Sequence, residues 1–210
     1  MSYPYDDASR RDIAARCAAF PRLPASDTTL GLKRAAVAIT LVETQDASGA
    51  AAFLLTRRAD GLRRHGGQFA LPGGRCDEGE MPVEAALREL DEEIGLRLGA
   101  DNVLGLLDDY PSRSGYLITP VVVWGGRDLA LRPNPEEVAS VDRIPLTEIA
   151  RTDAVDFITI PESSRRVVRI LINGDHIHAP TAAVLYQFRE VLAGRDTRVA
   201  ELEQPVFAWS

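Results

Sequence analysis

Residues 74–96 read GRCDEGEMPVEAALRELDEEIGL, and this stretch predicts a helix with one apolar and one acidic face. Pro82 suits the first turn of a helix and Gly95 suits its end, so we expect the helix to run from Met81 to Gly95. At about 100° per residue, four apolar side chains fall on one stripe that would face a core. They are Val83, Leu87, Leu90 and Ile94.

Three carboxylates lie away from that stripe, on another face of the helix. They are Glu89, Glu92 and Glu93. Residues three and four apart on a helix are neighbours, so these anions repel one another, and the helix dipole disfavours them near its C-terminus. A hard divalent cation, Mg²⁺ or Mn²⁺, would relieve that repulsion and could share phosphate oxygens with a substrate. On charge alone, a solvated acidic helix face is the commoner explanation.

The complete spacing favours the metal site, because it resembles the signature of the Nudix family. That signature is Gly, five residues, Glu, seven residues, then Arg-Glu-apolar-any-Glu-Glu-any-Gly-apolar, and residues 74–96 meet every specified position. A chance match across the chain is on the order of 10⁻⁷. The resemblance implies an α/β fold, the Nudix α/β/α sandwich with a mixed β-sheet. It also implies a hydrolase that uses a divalent metal to cleave a nucleoside diphosphate, linked to another moiety, at the pyrophosphate.

The same resemblance implies roles for individual residues of this segment. Glu89, Glu92 and Glu93 would hold the metal ions, and the carbonyl of Gly74 would add a backbone ligand. Arg88 would orient a neighbouring glutamate rather than touch the substrate. A metal-bound water would be the nucleophile, because coordination lowers its pKa.

The identity of the general base stays open between two places in the chain. Glu92 is one candidate. Glu136 or Glu137 is the other, because many Nudix enzymes bring a glutamate from a downstream loop or strand. A polar turn before a strand explains these two residues equally well.

A second motif, just upstream, resembles the coenzyme A pyrophosphatases of that family. Residues 54–74 read LLTRRADGLRRHGGQFALPGG. The subgroup pattern is Leu-Leu-Thr, an Arg-Ser pair, Leu-Arg-any-His-any-Gly-Gln and Phe-Pro-Gly-Gly. This chain departs from it at Ala59, which replaces the usual serine and removes a hydroxyl, and at Leu71, which replaces the usual phenylalanine. The resemblance covers roughly residues 35–195, with specific motifs only in 54–96.

The loop in this motif is the most basic stretch of a chain whose formal net charge is −7. Its basic residues are Arg57, Arg58, Arg63, Arg64 and His65. Arginine forks suit phosphates and coenzyme A is a polyanion, so we expect Arg58, Arg63, His65 and Gln68 to bind the substrate. The alternative is a solvated arginine-rich loop.

Together these motifs predict a pyrophosphatase that splits coenzyme A or acyl-CoA. Its products would be 4′-phosphopantetheine, or the acyl form, and adenosine 3′,5′-bisphosphate. One alternative is a Nudix pyrophosphatase of ADP-ribose or another dinucleotide. Another is a non-catalytic nucleotide-binding module, which would have no need of Glu89, Glu92 and Glu93 together.

The composition suits one core, since 45% of the 210 residues are hydrophobic and 26% are charged. We expect residues 1–33 to form an N-terminal helix and linker, and residues 34–210 to form the Nudix domain with a C-terminal helix and tail. No apolar run could span a bilayer and no signal peptide is evident, which favours the cytoplasm and no membrane partner. The chain has no basic tail for nucleic acid. The apolar residues 205–209 could pack on their own domain or on a second subunit, so a homodimer stays open.

The remaining pattern predicts further strands and helices. Strands are expected at 35–43, 51–57, 68–72, 103–108, 116–124, 138–144 and 166–172, and helices at 9–20, 146–151 and 180–192. His176 and His178 alternate as strand residues do. Without a third ligand at fixed spacing they are a weak zinc signal, so we favour a structural role for both.

Overall fold

The computed structural model describes residues 3–23, 31–46, 48–61, 66–127 and 129–209. Four α-helices lie within these ranges: α1 (Asp7–Ala19), α2 (Pro82–Ile94), α3 (Leu146–Ala150) and α4 (Thr181–Leu192). Each overlaps a predicted helix closely. None of them is both long and apolar enough to cross a bilayer.

The strands form two sheets. Their bounds are β1 (Lys33–Glu43), β2 (Ala51–Arg58), β3 (Phe69–Ala70), β4 (Gly73–Arg75), β5 (Val103–Leu106), β6 (Tyr110–Pro111), β7 (Tyr116–Gly126), β8 (Val138–Pro145), β9 (Val155–Ile160), β10 (Ser163–Ile172) and β11 (Asp175–His178). The larger sheet has the order β3-β2-β1-β7-β5, with β8 added to β2, β4 to β1 and β6 to β7. Because β1 and β7 run parallel while the other pairs are antiparallel, the sheet is mixed, as predicted.

Helices cover both faces of the large sheet. The centre of β1 and nearly all of β7 are buried, as expected for strands covered on two sides. One core lies between the sheet and α2, where Leu90 and Ile94 are fully buried. The other core joins the opposite face to α1, α3, α4 and the second sheet. The mixed α/β class and the layered α/β/α arrangement are therefore confirmed.

The second sheet, with order β11-β10-β9, was not predicted. The sequence predicts only one strand in this region, at 166–172, together with the strand-like alternation of His176 and His178. In the structure, residues 155–160 and 175–178 pair with it in an antiparallel sheet. The alternation of side chains can indicate a strand but not the strands with which it pairs, because that pairing depends on long-range packing.

The C-terminal tail packs on its own chain. Indole Nε1 of Trp209 donates to the carbonyl of Gln204 across 2.9 Å, and the guanidinium of Arg113 lies 4.9 Å from the centre of the Trp209 ring. Just before this segment, buried Glu203 accepts a hydrogen bond from Arg113 Nε across 2.9 Å. At the other end of the chain, Ile13 and Cys17 of α1 are buried in the core. The division at residues 33 and 34 stays a prediction.

Candidate active site

Two glycines bring β4 against the acidic end of α2. Gly73 and Gly74 both belong to a short strand that pairs with β1. A Cβ atom on Gly74 would lie 2.2 Å from Oε1 of Glu89. A Cβ on Gly73 would lie 2.3 Å from the carbonyl oxygen of Ala36. A side chain at position 73 would collide with the neighbouring strand, and one at position 74 would force the Glu89 carboxylate to move.

Glu93 is buried beneath this strand. Its Oε2 accepts a hydrogen bond from the backbone N–H of Gly73 across 3.2 Å. Burial, together with the charges of Glu89 and Glu137, raises the pKa of Glu93 to about 7, although the Gly73 hydrogen bond and the charge of Arg58 oppose the shift. Four groups from four parts of the chain, β2, β4, α2 and the segment before β8, therefore act on one carboxylate.

Arg88 lies at the centre of an ion-pair network on the neighbouring surface of α2. Its Nε and Nη2 contact the two carboxylate oxygens of Glu80 across 2.9 and 3.0 Å. Nη1 donates to Oε1 of Glu89 and to Oε2 of Glu92, both across 2.9 Å. Nη2 also donates to the carbonyl of Arg75 across 2.9 Å. Part of the expected glutamate repulsion is thus offset by an arginine of the same helix.

Glu89, Glu92 and Glu93 of α2 differ in their exposure, which the helical period did not predict. Glu93 is 5% exposed, whereas the side chain of Glu92 is 57% exposed. Glu89 is intermediate, and burial raises its pKa, an effect that Arg88 opposes. The expectation of one shared acidic face is therefore only partly correct, because β4 covers Glu93 and leaves Glu92 in solvent.

The turn at residues 134–137 brings a fourth glutamate to this site. The N–H of Asn134 donates to the carbonyl of Glu93 across 2.8 Å, which attaches the turn to the end of α2. Glu137 is half-buried and close enough to raise the pKa of both Glu89 and Glu93. Glu136 is exposed. Of the two downstream candidates, the fold brings Glu137 to the carboxylates of α2.

Glu80 is a residue for which the sequence suggested no separate role. In the structure it holds Arg88 with both carboxylate oxygens, and the hydrogen bonds from Arg88 lower its pKa. The signal was present, since the Nudix signature specifies a glutamate at this position. Glu80 lies eight residues before Arg88 and precedes the helix, so helical spacing could not indicate this contact.

The oxygen ligands available at this site are of the kind that a hard divalent cation prefers, but their side chains are not grouped around one point. Within the described parts of the chain, no three His, Cys, Asp or Glu side chains are grouped to hold one ion. The hydrogen bonds explain this. One oxygen of Glu89 and one of Glu92 accept from Arg88, and one oxygen of Glu93 accepts from the N–H of Gly73. A cation would therefore compete with Arg88. Carboxylate oxygens crowded at low exposure, with glycine in place of a side chain beside Glu89, are nevertheless suited to Mg²⁺ or Mn²⁺.

The residues expected to bind substrate divide into two groups. Arg63 and His65 lie outside the described residues. Arg58, at the end of β2, is half-buried, and its N–H donates to the carbonyl of Gln68 across 3.0 Å. Both line a cavity of about 460 Å³, a volume typical of ligand pockets. Sequence reasoning missed this cavity, because its opposite wall is the unpredicted second sheet together with the C-terminal tail.

Comparison with known proteins gives one family. A model of the NUDIX domain matches residues 32–161. A protein of Yersinia enterocolitica described as "Uncharacterized Nudix hydrolase NudL" is 38% identical over 135 residues, covering 63% of this chain and 69% of that protein. The NudL of Yersinia pestis, strain Pestoides F, is 41% identical over 117 residues. The aligned part is 55% of this chain and spans only 57% of the length of that relative.

Among solved structures, the chain is similar to RenU, a Nudix hydrolase from M. smegmatis. The identity is 26%, and the match covers 78% of this chain and 87% of RenU with a TM-score of 0.49. A likeness of that size carries no argument about activity. The family rests on the domain match and on the sequence relatives.

Proposed function

The chain belongs to the Nudix family, and from this membership we propose that it is a Mg²⁺- or Mn²⁺-dependent pyrophosphatase of coenzyme A or acyl-CoA. The products would be 4′-phosphopantetheine, or its acyl form, and adenosine 3′,5′-bisphosphate. The observation that carries this proposal is the contact of the Gly73–Gly74 strand with Glu93 and Glu89. It places a side-chain-free backbone beside buried carboxylates, where a phosphate and its counter-ion can approach.

Four groups would hold the ion: the carboxylates of Glu89, Glu92 and Glu93 and the carbonyl of Gly74. Such an ion, when bound, supplies positive charge to the pyrophosphate oxygens and acidifies a water molecule. Arg88 positions two of these carboxylates, since one nitrogen contacts both Glu89 and Glu92. The Gly73 N–H fixes the direction of the Glu93 carboxylate.

Glu137 is our choice for the group that takes the proton from the attacking water. Among the described residues it forms no ion pair, whereas Glu92 is paired with Arg88. A carboxylate oxygen that already accepts from a guanidinium is less available to accept a proton from water than one without a partner. As the water oxygen bonds to one phosphorus, the phosphoanhydride P–O bond breaks, one water proton passes to Glu137, and the other half of the substrate leaves as a phosphate monoester.

The choice of coenzyme A is supported by the upstream motif and by the position of Arg58. Its positive charge acts on Glu93, and it also lines the cavity, so it lies between the acidic centre and a space for the rest of the substrate. Among the described residues, no carboxylate is paired with Arg58. A guanidinium without a counter-ion beside the reaction centre suits a polyanionic substrate.

A substrate panel in H₂¹⁸O, with products identified by mass, tests the proposal. Coenzyme A should give the two products above, with one ¹⁸O on the phosphate that was attacked. We expect its kcat/KM to exceed those of dephospho-CoA and ADP-ribose by about tenfold, the size of one charge-assisted hydrogen bond to the 3′-phosphate. Arg58→Ala should reduce that preference, whereas Arg11→Ala, on the exposed face of α1, should not.

The panel also distinguishes the alternatives. Ala59, where the subgroup has serine, keeps ADP-ribose or another dinucleotide as the second candidate. Faster cleavage of ADP-ribose than of coenzyme A would establish that activity instead. Binding of these nucleotides with no turnover at any metal concentration would indicate a non-catalytic module.

A further inference from the structure

The cavity beside β3 has a wall that no catalytic role explains. Three segments meet there: β3 with Phe69 and Ala70, β11 with its two histidines, and the end of the tail with Phe207. Its volume of about 460 Å³ is too large for a phosphate alone and fits within the range of small-ligand pockets.

Arg57 provides a positive charge in this cavity. Its Nε donates to the carbonyl of Gly67 across 3.1 Å, and its Cζ lies 5.9 Å from the centre of the Phe69 ring. These contacts fix the base of the guanidinium. In the described part of the chain its terminal nitrogens have no hydrogen-bond or carboxylate partner. Asp175 also lines the cavity, but it is exposed, and with Arg58 the two arginines leave a net positive charge there.

Phe207 offers an aromatic surface to the same space. It is 54% exposed, and the ring of His178 meets it edge-on with 5.2 Å between ring centres. Burial lowers the pKa of His178, so this imidazole is neutral at pH 7 and leaves the charge to the arginines. The tail that carries Phe207 is held by the hydrogen bond from Trp209 to Gln204, so the ring is presented by packed structure. An exposed ring at a cavity wall is a stacking surface for a planar heterocycle.

The cavity lies within reach of the acidic centre. Ala70 is in its wall, and Gly73, only three residues further on, donates to Glu93. Three extended residues span at most about 10 Å. Arg57 and Arg58 both line the cavity, and the charge of Arg58 also acts on Glu93 of α2. A ligand passing over the short edge strand β3 would meet both.

We propose that this cavity binds the phosphorylated nucleoside half of the substrate, with the base against Phe207 and the ribose-linked phosphate at Arg57. The inference rests on the proposed function and adds which half of the substrate enters this space. An acyl chain or the pantetheine arm would leave the guanidinium of Arg57 without a partner, which makes the nucleotide half the better occupant.

Calorimetric titration in EDTA separates this binding from metal-dependent catalysis. The probes are adenosine 3′-monophosphate, adenosine and 4′-phosphopantetheine. Adenosine 3′-monophosphate should bind at least tenfold more tightly than adenosine. Arg57→Ala should abolish that difference, and Phe207→Ala should weaken both adenosine ligands about tenfold. Val206→Ala, the neighbouring exposed residue outside the cavity wall, and Arg11→Ala are the matched controls.

Thermal melting of each variant shows that it is folded, and Arg57→Lys, which keeps the charge, should retain part of the preference. The proposal is overturned if 4′-phosphopantetheine depends on Arg57 and Phe207 while adenosine 3′-monophosphate does not. If the wild type cleaves coenzyme A but Arg57→Ala binds the nucleotide as tightly as the wild type, the proposed function stands and the assignment of the cavity is wrong. If nucleotide binding depends on Arg57 but no substrate is hydrolysed, the cavity is a nucleotide site and the proposed function is wrong.

Discussion

The backbone N–H of Gly73 donates to the carboxylate of Glu93 across 3.2 Å, and this bond joins β4 to the buried end of α2. Glu93 is thereby held in a protein interior that ordinarily excludes carboxylates. Keeping such a group costs stability, so its presence indicates a role other than stability. The predictions below follow from this contact and its neighbours.

Glu93→Gln should lower kcat by about a hundredfold or more while the protein remains folded. The amide oxygen of glutamine can still accept from Gly73, and removing a buried charge should leave the melting temperature equal or higher. Steady-state kinetics and thermal melting measure both effects. Glu78→Gln, an exposed residue outside the site, is the control. Full turnover in Glu93→Gln would exclude this residue as a ligand.

Removal of divalent metal with EDTA should abolish activity, and Mg²⁺ or Mn²⁺ should restore it. Saturating Mg²⁺ should also raise the melting temperature, because an ion that binds only the folded state stabilises it by mass action. Calorimetric melting with and without Mg²⁺ measures the shift. Glu93→Gln should show a smaller one. A melting temperature that does not respond at metal concentrations supporting activity would contradict the metal site.

Gly74→Ala should reduce turnover at least tenfold and weaken the response to Mg²⁺. The added Cβ would lie 2.2 Å from Glu89 Oε1, so the carboxylate must move. Gly99→Ala is the control, since a Cβ there meets no atom within 4 Å. Kinetics as a function of Mg²⁺ concentration measure the effect. Equal behaviour of the two variants would show that the contact has no functional consequence.

Glu203 should make stability depend on pH at the acidic end. The hydrogen bonds from Arg113 lower its pKa from 4.5 to about 2, even though burial opposes the shift. Because the folded-state pKa is the lower one, the stabilisation is fully present above pH 4.5 and is lost as the pH falls toward 2.

Glu203→Gln should therefore cost on the order of 1–3 kcal/mol at pH 7. The difference from the wild type should shrink between about pH 5 and pH 2. Denaturant unfolding at several pH values measures it. Glu201→Gln, exposed and two residues away, should show little change. A difference that stays constant across this range would contradict the role of the Arg113 pair.

The sequence by itself determined the features that depend on neighbours along the chain. Pro82 and Gly95 are local signals, and α2 begins and ends where they predict, with Gly95 in the left-handed conformation at φ 68°. The composition of residues 35–43 and 116–124 likewise predicted strands, and β1 and β7 lie there. The order of residues 74–96 also sufficed to indicate the family.

Only the tertiary structure decided how the acidic residues differ from one another. The helical period places Glu92 and Glu93 side by side, but β4 covers one and leaves the other exposed. It also took the fold to bring Glu137 to α2 and to build the cavity around Arg57 and Phe207. Burial and charge at a position depend on what packs against it from distant parts of the chain, and a local pattern cannot carry that information.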